Sequence, residues 1–297
     1  MANSPSLPEL PAGATAASRR RLGIAAELAA LCPERLGREI AVAGSVSLGI
    51  ADEASDIELN FWCDVVPSLA DRLDWLEQAG VTDLIPTEVA EGDGSRWTTC
   101  RFQGVWVEAG WQSIDILTGL VDRILAGYAT SHDQLMVAST IVNAAPVRTE
   151  GIVTRWQQQL AIYPDSVQRA VIEANTSVWQ MPHASLGRWA MADRGDLLSL
   201  NERFLWDMSN VLRVLYALNR RWDPDWKWLR PKVADLPIAP ERLADRIDEI
   251  FSAATPHRRV VACQSLILDT LKLVPETSGI ARARAAIGAS LSSRSGL

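Results

Sequence analysis

Apolar residues recur along RLGIAAELAALCPERL at the three- and four-residue spacing of one helix face, and a proline-bearing turn ends the pattern. This predicts a helix over roughly residues 18–31. REIAVAG then reads as a short buried strand. A Gly-Ser turn and a short helical or irregular stretch lead into a second strand near residues 55–63. LADRLDWLEQAG is an amphipathic helix closed by Gly80, and the Gly-rich EGDGS turn precedes RWTTCRFQGVWVEAGW, two strands joined around Gly104. SIDILTGLVDRILAGY is helical again, and HDQLMVASTIVNAAPVRT is a shorter element running into a strand or extended piece. Beyond about residue 150 no strand pattern is visible. TRWQQQLAIYPDSVQRAVIEANTSVWQ, GDLLSLNERFLWDMSNVLRVLYALNRRW, ERLADRIDEIFSAAT and HRRVVACQSLILDTLKLV are helical patterns parted by proline-bearing turns. The expected fold class is α+β: a small mixed-sheet domain over residues 18–150 and an all-α domain over 151–297, preceded by a Pro/Ala/Ser-rich leader, residues 1–17, expected to be flexible.

Composition narrows the functional classes. The formal charge of -7 argues against bulk electrostatic grip on a polynucleotide backbone, so nucleic acid is a disfavoured partner. Four cysteines, Cys32, Cys63, Cys100 and Cys263, stand without CxxC spacing beside only three histidines, which suits free thiols better than a zinc cluster. No apolar run is long enough to cross a bilayer and the leader lacks a secretory h-region, so a cytoplasmic protein with no membrane partner is expected. GxxxxGK[ST], GxGxxG and GxSxG are all absent.

Candidate chemistry lies in AGSVSLGIADEASDIELNFW, residues 43–62. Asp56 and Glu58 occupy positions i and i+2 of the predicted strand, hence one face, about 6.6 Å apart along the chain. At that distance two negative charges repel by about 2.5 kcal/mol at an effective dielectric near 20, so a partly buried pair calls for a cation. A hard divalent ion such as Mg²⁺ prefers these carboxylate oxygens and those of phosphates. Upstream, Gly44 leaves the backbone open to close approach, and Ser45 adds a hydroxyl to the amides of the turn, a suitable cradle for phosphate.

Gly44-Ser45, a spacer, then Asp56-Ile57-Glu58 resembles the signature of the DNA polymerase β-like nucleotidyltransferase superfamily, whose small members include antibiotic nucleotidyltransferases. The resemblance implies a nucleotidyltransferase α/β domain, two Mg²⁺ ions, a nucleoside triphosphate as substrate, and transfer of a nucleoside monophosphate to an acceptor hydroxyl with release of pyrophosphate. It also implies a third acid from a later strand. Glu108, between apolar residues in VWVEAGW, matches that position as metal ligand or general base. Asp115 is the competitor, but it lies near a helix start, where capping and the helix dipole explain an acid. Further along, ALNRRWDPDWKWLRP, with Arg-Gly-Asp at 194–196 upstream, resembles the helical domain of nucleotidyltransferase-like proteins of the DUF4037 type. That branch brings no function with it. The acceptor is expected to be a small hydroxylated molecule, for example an aminoglycoside-like natural product. The alternatives are a transferase acting on tRNA or protein, and a catalytically silent relative that binds a nucleotide or a partner protein.

Other conspicuous residues have plainer accounts beside functional ones. Asp52 and Glu53 read as a solvated acidic loop. Trp156, Trp179, Trp189 and Trp206 sit where helices pack, whereas Trp222, Trp226 and Trp228 cluster after a helix and are candidates to line a substrate cleft. Lys227, between them, is a candidate to neutralise the triphosphate. Arg194 and Asp196 suggest an internal ion pair, and His132, His183 and His257 show no partners in sequence.

Overall fold

A computed structural model of the chain describes residues 7–87 and 94–294. Most of the EGDGS turn therefore lies outside the described residues. The chain divides into two compact units, the first ending at Ile162 and the second beginning at Tyr163.

The first unit is built on a mixed sheet. Its elements are α1 (Ala16–Ala30), β1 (Glu39–Ala43), α2 (Gly44–Ser47), β2 (Ile57–Cys63), α3 (Leu69–Gln78), β3 (Thr82–Pro86), β4 (Arg96–Phe102), β5 (Val105–Ser113), α4 (Ile114–Leu125), α5 (His132–Asn143), β6 (Ala145–Arg148) and α6 (Ile152–Leu160). The strands lie in the order β3-β4-β5-β2-β1-β6. Only β2 and β5 run parallel; the other described pairings are antiparallel.

Strand parity gives the sheet two different faces. On one, Ile40, Val42, Ile57, Leu59, Phe61, Val107, Ala109 and Trp111 form a buried core with α1 and α3. Phe61 stacks on Trp111 at 4.7 Å between ring centroids and meets Trp75 of α3 edge-on at 5.3 Å. The other face carries Glu39, Ala41, Ala43, Glu58, Asn60, Trp62, Glu108, Gly110 and Gln112. At one end it is closed by α6, where Trp62 meets Trp156 edge-on and donates from Nε1 to Gln112 Oε1 at 3.1 Å.

Glu39 opens β1 fully buried. Gly151, with φ 98°, is the N-cap residue of α6 and has no side chain to cap with. The Glu39 carboxylate does that work from the neighbouring strand: it accepts from Thr149 Oγ1 at 2.6 Å and from the amides of Glu150, Ile152 and Val153 at 2.8, 3.0 and 3.3 Å. A buried acid is tolerable here because four donors converge on it.

The second unit is helical: α7 (Asp165–Thr176), α8 (Pro182–Arg194), α9 (Leu197–Leu218), α10 (Leu229–Ala234), α11 (Leu243–Ser252), α12 (Pro256–Leu273) and α13 (Ser278–Ser292). Its apolar core centres on α9 and α12, with Phe204, Val211, Leu215, Leu266 and Ile267 fully buried. Within it Asp207 is held by Arg188, whose Nε donates at 2.5 Å, and by Trp179 Nε1 at 3.0 Å. The α+β expectation thus stands, a mixed sheet followed by helices.

Several local readings need correction. Trp156, Trp179 and Trp189 are buried, but Trp206 is 37% exposed, with the Arg203 guanidinium over its ring. No Arg194–Asp196 ion pair occurs among the described residues; Asp196 instead caps α9, accepting from the Ser199 amide. His257 does have a partner, Asp193 Oδ1 at 2.8 Å. The four cysteines are free and buried. Burial pushes the Cys63 and Cys100 thiols up to about 11 and Cys32 to about 12, so these three are protonated at neutral pH.

Candidate functional site

The acids singled out in sequence fall on the second face of the sheet. Glu58 pairs with Ala43 of β1 on one side and, in the parallel register, with Glu108 of β5 on the other. Register partners on adjacent strands share a face, at a strand spacing of about 4.8 Å. Both are half-buried, whereas Ile57, Leu59, Val107 and Ala109, their chain neighbours, are fully buried. Asp56 is half-buried too and lies one residue before β2 begins.

Gly44 has a steric reason to be glycine. Its φ is +63°, and a Cβ built there would stand 2.4 Å from Glu58 Oε1 and 2.8 Å from Oε2. The Glu58 carboxylate therefore rests directly against the turn that leaves β1. That turn, α2, is one turn long, so any hold on an anion would come from its individual amides and the half-buried Ser45 rather than from a helix dipole. Ser45 already uses its carbonyl to accept the amides of Ile50 and Ala51, which folds the following loop back.

The loop leading to Asp56 is fastened from α1. Arg21 is 2% exposed and donates to the carbonyls of Ser55 and Glu53, both at 2.7 Å. Thr15 Oγ1 donates to the Ala51 carbonyl at 2.7 Å, and the Ala51 amide donates to Ser18 Oγ at 3.0 Å. Asp52 and Glu53 are exposed and occupied locally. The Ser55 hydroxyl holds the Asp52 carboxyl below its ordinary value, and Arg20, at 2.5 Å, does the same for Glu53. Sequence reasoning missed Arg21 because SRRR sits at the boundary of the presumed leader; its position one turn into an apolar helix was the available signal.

Asp115 is exposed in the first turn of α4, where the helix dipole accounts for it. Among the described residues no three His, Cys, Asp or Glu side chains are grouped closely enough to hold a metal ion. The structure thus brings Glu58 and Glu108 side by side and places Asp56 on the approach, without assembling a three-acid cluster. The acids on this face are carboxylates, the ligand type hard cations prefer, and the space in front of Gly44 is taken by the Glu58 carboxylate.

In the second unit Lys227 is exposed in the segment between α9 and α10. Of the tryptophans near it, Trp222 is buried against Tyr163 at 4.5 Å between centroids, Trp228 is partly buried and Trp226 is 41% exposed.

Taken together, fold and acids define an α+β protein with a carboxylate-bearing mixed sheet followed by a helical unit. Residues 131–229, a third of the chain, match a family described as a domain of unknown function, DUF4037. The matched segment starts at the capping residue of α5 and runs through α9. A nucleotidyltransferase-like protein from Exiguobacterium sibiricum 255-15, known from its crystal structure, is similar over 94% of this chain and 92% of its own, at 12% identity and a TM-score of 0.36. That is a distant likeness only. No curated protein matches the chain. No described helix is long and apolar enough to cross a membrane.

Proposed function

We propose that the sheet unit is a nucleotidyltransferase site in which Asp56, Glu58 and Glu108 serve Mg²⁺-dependent transfer of a nucleoside monophosphate from an NTP to a hydroxyl of a small acceptor. The observation that carries the reading is the parallel register of Glu58 with Glu108, with the Glu58 carboxylate lying on Gly44. Two half-exposed carboxylates side by side on one face, next to a glycine turn, are the arrangement expected where divalent cations and phosphate oxygens meet.

Asp56, Glu58 and Glu108 would hold two Mg²⁺ ions, which when bound supply positive charge to the phosphates. The Gly44-Ser45 turn would receive the triphosphate. The acceptor oxygen attacks the α-phosphorus in line; the new O–P bond replaces the bond to the bridging oxygen, and pyrophosphate leaves. Glu108 would take the hydroxyl proton or act as a ligand.

Transfer from labelled ATP, GTP, CTP and UTP to a panel of small alcohols, RNAs and the protein itself, with Mg²⁺ present, tests the proposal. Transfer that falls at least about a hundredfold in E58Q and E108Q supports it. Undiminished transfer in both variants, or nucleotide binding indifferent to Mg²⁺, overturns it.

A further inference from the structure

A cavity of about 790 Å³ opens on the acid-bearing face of the first unit. Trp97 of β4 lines it together with Ile116 and Leu120 of α4 and Met136 and Val137 of α5. Trp97 is the register partner of Gly110, two residues beyond Glu108 on the same face of β5.

The indole is unusually well fixed. Three consecutive ring carbons, Cη2, Cζ3 and Cε3, lie 2.7, 2.6 and 2.8 Å from where a Cβ on Gly110 would stand. Near-equal distances to three successive atoms put that point over the face of the ring; off its edge, the outer two would be much farther than the middle one. Any side chain at 110 would evict the indole. Its Nε1 donates to Ser95 Oγ at 2.9 Å, which sets the rotation of the ring about its own floor. One face of the indole is thus spent on the sheet, and the residue, only half-buried, lines the cavity with what remains.

We infer that this cavity takes a flat, uncharged aromatic ring stacked on Trp97. Apolar side chains from two helices face a preorganised indole, so stacking costs little ordering of the protein. Among the described residues the charged side chains lining the cavity are Arg123 and Asp133, one of each sign. The volume lies within the range of small-molecule sites. Under the transferase reading, on which the identity of the ring depends, it is either the body of the acceptor or the base of the nucleotide, and it is bound within two residues of Glu108.

Calorimetric titration of the full chain with 2-naphthol, with adenosine and with a polycationic aminosugar, in the absence of Mg²⁺ and NTP, tests the inference. Saturable binding of 2-naphthol or adenosine is expected, weakened about tenfold or more in W97A and largely kept in W97F, which retains a stacking face. 2-Naphthol alone assigns the ring to the acceptor, adenosine alone to the nucleobase. E58Q should leave ring binding unchanged while abolishing transfer, so failure of the transferase reading does not imitate failure here. Ring binding equal in wild type, W97F and W97A, absence of both rings, or tighter binding of the aminosugar overturns the inference.

Discussion

Three glutamates share one face of the sheet, and the two ends of that face treat them differently. At the α6 end Glu39 is fully buried and meets four donors, three of them backbone amides that α6 and the residue before its cap would otherwise leave unsatisfied. At the other end Glu58 and Glu108 stand side by side, half-exposed, with Gly44 against the first. The difference teaches that an acid in an apolar strand is not by itself a sign of chemistry. What separates the cases is whether the fold delivers a set of backbone donors to the carboxylate or lays a second carboxylate beside it.

The sharpest way to break this contrast is E39A. It strands several buried donors, and a loss of about 3–5 kcal/mol in urea unfolding is expected, while cation binding by the surviving folded protein is unchanged. A loss below 1 kcal/mol would mean that Glu39 is no structural cap. Next comes G44A. The added methyl occupies the place of the Glu58 carboxylate in a left-handed backbone, so stability should drop by about 2–4 kcal/mol and any Mg²⁺ response should weaken in parallel. Retention of both would detach Gly44 from the site. E58Q and E108Q keep the size and shape of the half-buried side chains and should shift stability less than E39A or G44A does, by about 1 kcal/mol or less.

The smallest effect concerns pH. The Asp52 and Glu53 carboxyls are held below their ordinary values of 3.8 and 4.5, so the folded loop binds protons less readily than the unfolded chain. Their contribution is complete above those ordinary values and is lost as pH falls through the lower folded ones. Amide exchange at Ala54, which donates to Asp52 Oδ1, should therefore accelerate beyond the general trend below about pH 4. A profile that follows the trend would place the loop's order in the ties from Thr15, Ser18 and Arg21 instead.

Periodicity made most of the fold legible. The alternation around Asp56, Ile57, Glu58 and Leu59 placed the acids on one face and the apolar residues on the other, and an acid between apolar residues in VWVEAGW pointed to Glu108, the register partner of Glu58. The same reasoning applied to REIAVAG would have raised Glu39, and nothing local could have told the two apart: the donors that satisfy Glu39 come from residues 149–153, more than a hundred positions away. β3 escaped notice because TDLIP is a largely exposed edge strand with no alternation, ending in proline. α13 escaped because SGIARARAAIGASLS alternates Ile280 and Ile287 with small buried residues, Ala283 and Ser290, so its inner face carries little apolar signal. Trp97 carries no signal of its own in RWTTCRF, because its tie to Gly110 depends on a strand register that sequence does not print.

The central claim is that Glu58 and Glu108 form a cation-dependent triphosphate site whereas Glu39 does not. It is tested most directly by calorimetric titration of a non-hydrolysable NTP into wild type, E58Q, E108Q and E39Q, with and without Mg²⁺. The expected result is Mg²⁺-dependent binding in wild type and in folded E39Q, weakened at least about tenfold in E58Q and E108Q. Binding that ignores Mg²⁺, or that survives undiminished in both E58Q and E108Q, would contradict the account.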